Sequence, residues 1–184
     1  MTYHSGNNLI DPQMLFEKSH LQQGMHVADL GCGRTGHIVF PAAKFLGETG
    51  LVYAVDIMKD VLENIKKRAN FENFQNVQTV WANLESHGKT AIPNNNLDVG
   101  FLISILFQSD NHEAILKEAK RMLKDKARLV IVDWSKKGLP FAPADESMVD
   151  FKKIKNWGLQ NGFAVQEEFD MGPYHHGLVF YRHD

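Results

Sequence analysis

A glycine-rich segment between an apolar run and a helical pattern constrains the fold of this chain most strongly. Residues 25–30 form a short apolar run, and Gly31, Gly33 and Gly36 follow it in the spacing G-x-G-x-x-G. Glycines at these positions allow a strand to turn sharply into a helix and allow a ligand to approach the backbone. Several kinds of nucleotide-binding fold share this spacing, so it predicts a β-α unit for a nucleotide-like ligand. A tight turn that binds nothing is the alternative.

Strand and helix patterns alternate along most of the chain. Further short strands are predicted over residues 51–55, 77–81, 98–103 and 128–132, and helices over residues 11–22, 37–46, 59–70, 112–123 and 148–160. A loop that contains glycine and proline is predicted over residues 135–145. Five successive β-α units predict a mostly parallel, doubly wound sheet with helices on both faces.

The carboxyl-terminal part of the chain departs from this alternation. Strands are predicted over residues 163–170 and 178–182, and only residues 171–177 connect them. This link is too short for the crossover that joins parallel strands, so the pair is predicted to be antiparallel. The predicted fold class is therefore α/β. It is a single Rossmann-like, doubly wound sheet of seven strands, mostly parallel, with an antiparallel carboxyl-terminal hairpin strand.

Composition limits the class of protein. A chain of 184 residues predicts one domain over residues 1–184, with residues 1–24 as an amino-terminal helical cap segment. The net charge of −2 argues against a nucleic-acid partner. Cys32 is the single cysteine, which excludes an intramolecular disulfide and fits the cytoplasm. Neither a membrane span nor a metal site is expected, because no long apolar run and no His, Cys and carboxylate cluster of ligand spacing occurs.

The residue two positions before the first glycine separates two classes of cofactor. In dinucleotide-binding folds this position is normally apolar, and a carboxylate beside the loop would repel a pyrophosphate. Asp29 occupies the position here and favours a cationic ligand, such as an amino-acid sulfonium. An alternative role for Asp29, as a helix cap or as an acceptor for the loop amides, stays open.

Two polar residues follow the next two strands. Asp56 ends the second strand, 25 positions after Gly31, and its carboxylate can accept two hydrogen bonds from a ribose diol. Its alternative role is to cap the helix that follows. Asn83 comes after the third strand, and its side-chain oxygen can accept from an adenine amino group, although a simple loop asparagine is an equal alternative. Asp56 predicts nucleoside binding without choosing between cofactors.

With these motifs, the chain resembles the class I S-adenosylmethionine-dependent methyltransferases. It is most similar to their branch of ubiquinone/menaquinone-biosynthesis C-methyltransferases. The resemblance extends from about residue 8 to residue 182 and depends most on residues 27–36, 53–57 and 82–84. One departure is Asn83, where this branch usually has aspartate. The resemblance implies S-adenosylmethionine as the cofactor and a small molecule as the methyl acceptor. It implies the cofactor-binding residues Asp29, Gly31, Cys32, Gly33, Gly36, Asp56, Ile57, Asn83, Leu84 and Ser104.

The acceptor is expected beyond the carboxyl ends of the strands, at the crevice between the first and fourth strands. The candidate wall residues follow the fourth and fifth strands and are Ser104, Phe107, Gln108, Asp133 and Trp134. Each has loop packing as an equal alternative role, and for Phe107 and Trp134 packing is the favoured role. In the link of the closing hairpin, Tyr174, His175 and His176 are the candidate catalytic residues. Either Tyr174 and one histidine line the acceptor pocket, with one acting as a base, or the two histidines simply begin the last strand.

Other functions remain as alternatives at this point. One is an NAD-dependent dehydrogenase, which Asp29 and the terminal hairpin disfavour. Another is a protein that binds S-adenosylmethionine without catalysis. The short amino-terminal segment leaves the pocket either open or closed by a second subunit, so a homodimer is a further alternative.

Overall fold

A computed structural model describes residues 9–135, 142–144 and 147–183. In chain order the helices and strands are α1 (Pro12–Lys18), β1 (His26–Leu30), α2 (Val39–Leu46), β2 (Leu51–Asp56), α3 (Lys59–Phe71), β3 (Val77–Trp81), β4 (Leu97–Ile103), α4 (His112–Met122), β5 (Leu123–Trp134), α5 (Phe151–Gln160), β6 (Phe163–Met171) and β7 (His175–Arg182). A short 3-10 turn, Leu106–Gln108, lies between β4 and α4.

The seven strands form one sheet in the order β3-β2-β1-β4-β5-β7-β6. The strands β1 to β5 pair with one another in parallel, and β7 is antiparallel to both β5 and β6. The predicted fold class is therefore confirmed, including the reversed strand. Because the chain order reverses between β1 and β4, a crevice opens at the carboxyl edge of the sheet beside those two strands.

Buried apolar side chains cover both faces of the sheet. One cluster joins α1, α2 and α3 to the strands, and Phe101 is among its fully buried members. The other joins α4 and α5 to the opposite face, where Phe180 is fully buried. The central strands are apolar at successive positions because both of their faces are covered, as the burial of residues 52–55 in β2 illustrates.

Four predicted boundaries differ from the structure by three residues or more. The first helix ends at Lys18, not at residue 22, because His20 adopts a left-handed conformation with φ of 50°. The fifth strand begins directly after α4, at Leu123 rather than residue 128. The last helix begins at Phe151 rather than residue 148, with Asp150 as its N-cap.

The hairpin link is the fourth difference. β7 begins at His175, where residue 178 was predicted, so only residues 172–174 connect it to β6. Most of the predicted loop over residues 135–145 lies outside the described residues, as do residues 1–8 of the predicted cap segment. Among the helices that the structure describes, none is long and apolar enough to cross a membrane.

Candidate functional site

The glycine loop turns from the end of β1 across the end of β2. Backbone N–H groups of Gly31 and Cys32 donate to the carbonyl of Val55, at 2.8 and 2.9 Å. Gly31 has φ of 96°, and a Cβ at this position would lie 2.1 Å from Cδ1 of Ile105. Gly33 and Gly36 also have positive φ, at 62° and 57°. The loop therefore requires glycine for its backbone conformation and, at Gly31, for close packing.

Asp56 lies against this loop at the end of β2. Its Oδ2 accepts from the N–H of Gly33 at 3.1 Å, and its Oδ1 accepts from the N–H of Met58 at 2.9 Å. The N-cap position of α3 is Met58, so the alternative role of Asp56 as that cap is wrong. Since each carboxylate oxygen has a second lone pair, Asp56 can still accept from a ligand bound over the loop.

Asp29 lies on β1 between Ala54 of β2 and Phe101 of β4. It is 3% exposed, and its carboxylate makes no hydrogen bond to another described residue. No contact therefore supports its alternative role as a helix cap or as an acceptor for the loop amides. Burial, and then the charge of Asp56, raise its pKa to about 7. A cation bound nearby would stabilise the ionised carboxylate and so lower the pKa of Asp29 again.

An exposed apolar surface adjoins Asp56. Ile57 is 55% exposed and Trp81 is 54% exposed, and the Trp81 indole N–H donates to the Ile57 carbonyl at 2.8 Å. Asn83 Oδ1 accepts from the Glu85 N–H at 3.0 Å, and Leu84 packs partly against the α4–α5 side of the core. The predicted residues Ile57, Asn83 and Leu84 thus follow the ends of β2 and β3. Sequence reasoning missed Trp81, although a tryptophan at the end of a predicted strand was a visible signal.

Ser104 directly follows β4 and has a backbone conformation that is unusual for a residue other than glycine. Its φ is 56°, its side chain is buried, and its hydroxyl has no hydrogen-bond partner among the described residues. The backbone is held in place, because the Ser104 N–H donates to Val132 and its carbonyl accepts from the Gln108 amide, at 2.8 and 2.7 Å. Backbone strain and an unpaired hydroxyl both cost free energy, and such costs concentrate at functional sites.

Of the two roles open to Asp133, wall residue or loop packing, the contacts of its side chain favour loop packing. Asp133 is fully buried, and its carboxylate accepts from the N–H groups of Leu106, Phe107 and Trp134, at 2.9, 3.3 and 2.8 Å. Burial raises its pKa to about 7, and these backbone donors oppose the shift. Asp133 therefore fixes the turn after Ser104 and does not face a ligand.

The closing hairpin brings its two histidines to opposite sides of β7, as the alternation of a strand requires. His175 is 1% exposed, its ring centroid lies 4.2 Å from that of Trp134, and neither ring nitrogen has a partner among the described residues. Burial lowers its pKa to about 4. His176 instead faces Glu168 and Asp170, at 3.3 and 3.4 Å.

Tyr174 is half-buried in the short turn, and its carbonyl accepts from the Ser135 N–H at 2.9 Å. Because β6 runs in the same direction as β5, the turn lies at the carboxyl edge of the sheet. Within the described ranges, no group of three or more His, Cys, Asp or Glu side chains is arranged to hold a metal ion. The expected absence of a metal requirement stays a prediction.

Comparison with known proteins places this geometry in context. A profile of the methyltransferase domain family matches residues 21–170. The ubiquinone/menaquinone biosynthesis C-methyltransferase UbiE of Escherichia fergusonii is 31% identical over 119 residues, which are 64% of this chain and 46% of that protein. The chain spans less than half the length of the curated relatives that it matches.

Solved structures share the fold over nearly the whole chain. A SAM dependent methyltransferase from Aquifex aeolicus superposes with a TM-score of 0.84 at 24% identity, over 97% of this chain and 93% of that chain. The [4+2]-cyclase SpnF superposes with a TM-score of 0.78 at 13% identity, over 97% of this chain and 82% of that chain. At these identities the superpositions establish the fold and not the reaction.

Proposed function

This chain belongs to the methyltransferase domain family, and on that premise we propose that it is an S-adenosylmethionine-dependent enzyme that methylates a small-molecule acceptor. The observation that supports the proposal best is the pair of carboxylates at the glycine loop. Asp29 is buried without a hydrogen bond to another described residue, and Asp56 lies 3.1 Å from the Gly33 amide. This pair suits a ligand that carries both a ribose and a positive charge.

The residues at the carboxyl edge of the sheet fit such a cofactor. Asp56 would accept from the ribose hydroxyls, Ile57 and Leu84 would pack on the adenine, and Asn83 would accept from its amino group. Gly31, Cys32, Gly33 and Gly36 would carry the cofactor on their backbone, where a Cβ at Gly31 would collide with Ile105. The unpaired hydroxyl of Ser104 would face the amino-acid part of the cofactor or the acceptor.

When bound, S-adenosylmethionine supplies a methyl group that its sulfonium charge already activates. The remaining task of this chain is to align the acceptor with that methyl group. Good alignment lowers the activation free energy by up to about 7–11 kcal/mol. Asp133 serves this task by fixing the turn after Ser104. Some acceptors also need a base for the proton that they lose.

Within the proposal, His175 meets the acceptor through a hydrogen bond and is not that base, because burial lowers its pKa to about 4. His176 is instead engaged with Glu168 and Asp170. Neither nitrogen of the neutral His175 imidazole has a partner among the described residues, so the ring can accept a hydrogen bond from a hydroxyl of the acceptor. Tyr174, in the adjoining turn, would line the same side of the cleft. Asp29 and His175 then have separate tasks, which substitutions can distinguish.

Replacement of His175 by alanine is expected to lower turnover by about 10-fold, the equivalent of one lost hydrogen bond of roughly 1.5 kcal/mol. Tyr174→Phe is expected to have a smaller effect, and His176→Ala should keep wild-type turnover, because its ring faces the opposite side of β7. The measurement is release of S-adenosylhomocysteine with a panel of small acceptors. If all three variants keep wild-type cofactor affinity and turnover, the hairpin link is only a turn.

Asp29→Asn is expected to weaken S-adenosylmethionine about 10- to 100-fold, because charged hydrogen bonds contribute roughly 1.5–3 kcal/mol. The affinity of uncharged adenosine should change much less. Because the pKa of Asp29 is raised to about 7, its carboxyl is neutral below that pH, so wild-type affinity for the cation should increase as pH rises through 7.

The Asp29→Asn protein has no ionisable group at this position, and comparing it with the wild type removes the contribution of every other titrating group. Titration calorimetry between pH 5.5 and 8.5 measures both ligands. Equal losses for S-adenosylmethionine and adenosine would mean that Asp29 only shapes the loop.

The environment and partners of the protein complete the proposal. The buried, reduced thiol of Cys32 fits a cytoplasmic location. We propose a small-molecule acceptor without a nucleic-acid partner, since the net charge is −2. Light scattering on the purified chain will distinguish a monomer from the homodimer alternative.

A further inference from the structure

The two outer strands of the sheet differ in how they are protected. β6, at one end, carries Glu167, Glu168 and Asp170 and has a register shift in its pairing with β7. Its Gln166 amide also donates to the Lys18 carbonyl of α1 at 3.1 Å. Charges, bulges and covering helices are the usual means by which an outer strand avoids pairing with another chain.

β3, at the other end of the sheet, has none of these features in its own sequence. Residues 77–81 are Val-Gln-Thr-Val-Trp, without a charge, a proline or a glycine. They pair with residues 52–56 of β2 in one uninterrupted register. Within the described part of the chain, the edge that β3 forms is therefore open to another strand.

Backbone groups of β3 that face this edge have no partner among the described residues. The Asn76 carbonyl and the Ala82 N–H bond to β2, at 2.8 and 3.1 Å. Because alternate residues of a strand direct their N–H and C=O groups to the same neighbour, residues 78 and 80 also bond to β2. The N–H and C=O groups of residues 77, 79 and 81 therefore point toward the open edge.

Exposed aromatic side chains lie at both ends of β3. Phe71, the last residue of α3, is 88% exposed, and Trp81, the last residue of β3, is 54% exposed. Phe71 lies near the start of β3, because the neighbouring Asn70 lines a shallow groove together with Val77. Aromatic residues are enriched at interfaces between proteins. Two of them here border a single edge of the sheet.

Charges on α3 suit a second copy of the same surface. Lys66 and Thr79 line the same groove, so Lys66 lies on the face of α3 that borders the β3 edge. Glu63 precedes Lys66 by three residues and shares this face. Among the described residues, the ion pairs of α3 involve Asp60 and Arg68 and leave Glu63 and Lys66 without an ionic partner. This face thus offers one unpaired charge of each sign.

We propose that β3 pairs antiparallel with β3 of a second copy of this chain, about a two-fold axis at Thr79. In this register Thr79 lies opposite Thr79 of the second copy, and Val77 lies opposite Trp81 of the second copy. These are the residues whose backbone groups face the open edge, so each pair exchanges an N–H···O bond in both directions. The surface is its own complement, as a two-fold dimer requires.

Side chains on the α3 side of the sheet complete the interface. Trp81 of each copy packs against Val77 and Phe71 of the other, because antiparallel pairing brings opposite ends of the two strands together. The two copies of α3 are reversed in the same way, so Glu63 of each helix faces Lys66 of the other. The inference goes beyond the proposed function and does not rest on it.

Sedimentation equilibrium of the wild-type chain is expected to show a reversible dimer with a dissociation constant on the order of micromolar. Phe71→Glu places a carboxylate against Trp81 of the second copy and should weaken the dimer at least tenfold. Leu159→Glu is the matched control, because Leu159 is also exposed, at 60%, but lies on α5. It should keep wild-type dimerisation. Circular dichroism checks that both variants are folded.

Thr79→Cys tests the register. Cys32 is the only cysteine of the chain and is buried, so it does not compete for oxidation. Opposed residues of a hydrogen-bonded pair have Cα atoms about 5.5 Å apart, within the range of a disulfide. Oxidised glutathione should therefore convert the Thr79→Cys protein to a covalent dimer. Leu159→Cys, treated in the same way, should give at least tenfold less covalent dimer.

A wild-type chain that stays monomeric at about 100 μM, well above a micromolar dissociation constant, would overturn the proposal. So would wild-type dimerisation of the Phe71→Glu protein, or a covalent yield from Thr79→Cys no higher than that from Leu159→Cys. These measurements contain no S-adenosylmethionine, so their failure leaves the test of the proposed function unaffected.

Discussion

Glu118→Ala is expected to lower the free energy of unfolding by about 3–5 kcal/mol, the cost of leaving a buried ionic partner uncompensated. Glu118 lies on α4 and is fully buried. Its carboxylate accepts from the N–H groups of Gly88 and Thr90, at 2.6 and 3.0 Å, and from the guanidinium of Arg121, at 2.8 and 3.0 Å. Its loss leaves all three groups without this partner.

Burial alone would raise the pKa of Glu118, but the hydrogen bonds from Arg121, Gly88 and Thr90 lower it to about 2 from an ordinary value of 4.5. A carboxylate with a depressed pKa stabilises the fold above its ordinary value and loses that contribution as the pH falls toward the folded pKa. Wild-type stability should therefore decline between pH 4.5 and about 2, and this part of the decline should be absent from the variant.

Urea unfolding at several pH values measures both effects. Glu113→Ala is the matched control, since Glu113 is an exposed residue of the same helix paired with Lys117 at 2.7 Å. An ion pair of this kind stabilises a helix by about 0.2–0.5 kcal/mol, so Glu113→Ala should lower the free energy of unfolding by no more than that. A loss below about 1 kcal/mol in Glu118→Ala, the range of an ordinary surface change, would mean that the contacts seen here do not hold the segment between β3 and β4.

Asp56→Ala is expected to weaken both S-adenosylmethionine and S-adenosylhomocysteine about 10- to 100-fold, equivalent to roughly 1.5–3 kcal/mol for charge-assisted hydrogen bonds. Both ligands carry the same ribose, so both should lose equally, unlike the pair compared for Asp29. The substitution also removes the carboxylate that accepts from the Gly33 N–H, and this hydrogen bond holds the glycine loop toward β2.

Asp60→Ala provides the control for this experiment. Asp60 lies four residues later on α3, is exposed, and pairs with Arg34 at 2.7 Å. Titration calorimetry should give wild-type affinity for this variant. Unchanged affinity in Asp56→Ala would remove Asp56 from the site.

Much of the fold followed from local patterns in the sequence. The period of apolar residues predicted each strand and helix, and the short link to the last strand predicted its reversal. The start of β5 was missed because residues 124–126 are Lys-Asp-Lys, which resembles a turn, and Lys126 does adopt φ of 63°. Pairing of Leu123 with Leu97 nevertheless extends the strand. Register between strands is a tertiary property that these residues do not encode locally.

The candidate site was only partly predictable. The spacing of Gly31, Gly33 and Asp56 predicted their meeting, because the ends of adjacent parallel strands share one edge. The opposite orientations of His175 and His176 followed from strand geometry. By contrast, the strain at Ser104 and the buried position of Asp133 depend on the turn between them, which is distant in sequence from residue 133. No periodicity could indicate those contacts.

The central claim is that this chain binds S-adenosylmethionine at the glycine loop, and titration calorimetry with S-adenosylmethionine, S-adenosylhomocysteine and NAD tests it most directly. We expect one-to-one binding of the first two with dissociation constants on the order of micromolar, and no binding of NAD. Binding of NAD in preference to S-adenosylmethionine, or of none of the three, would contradict the account.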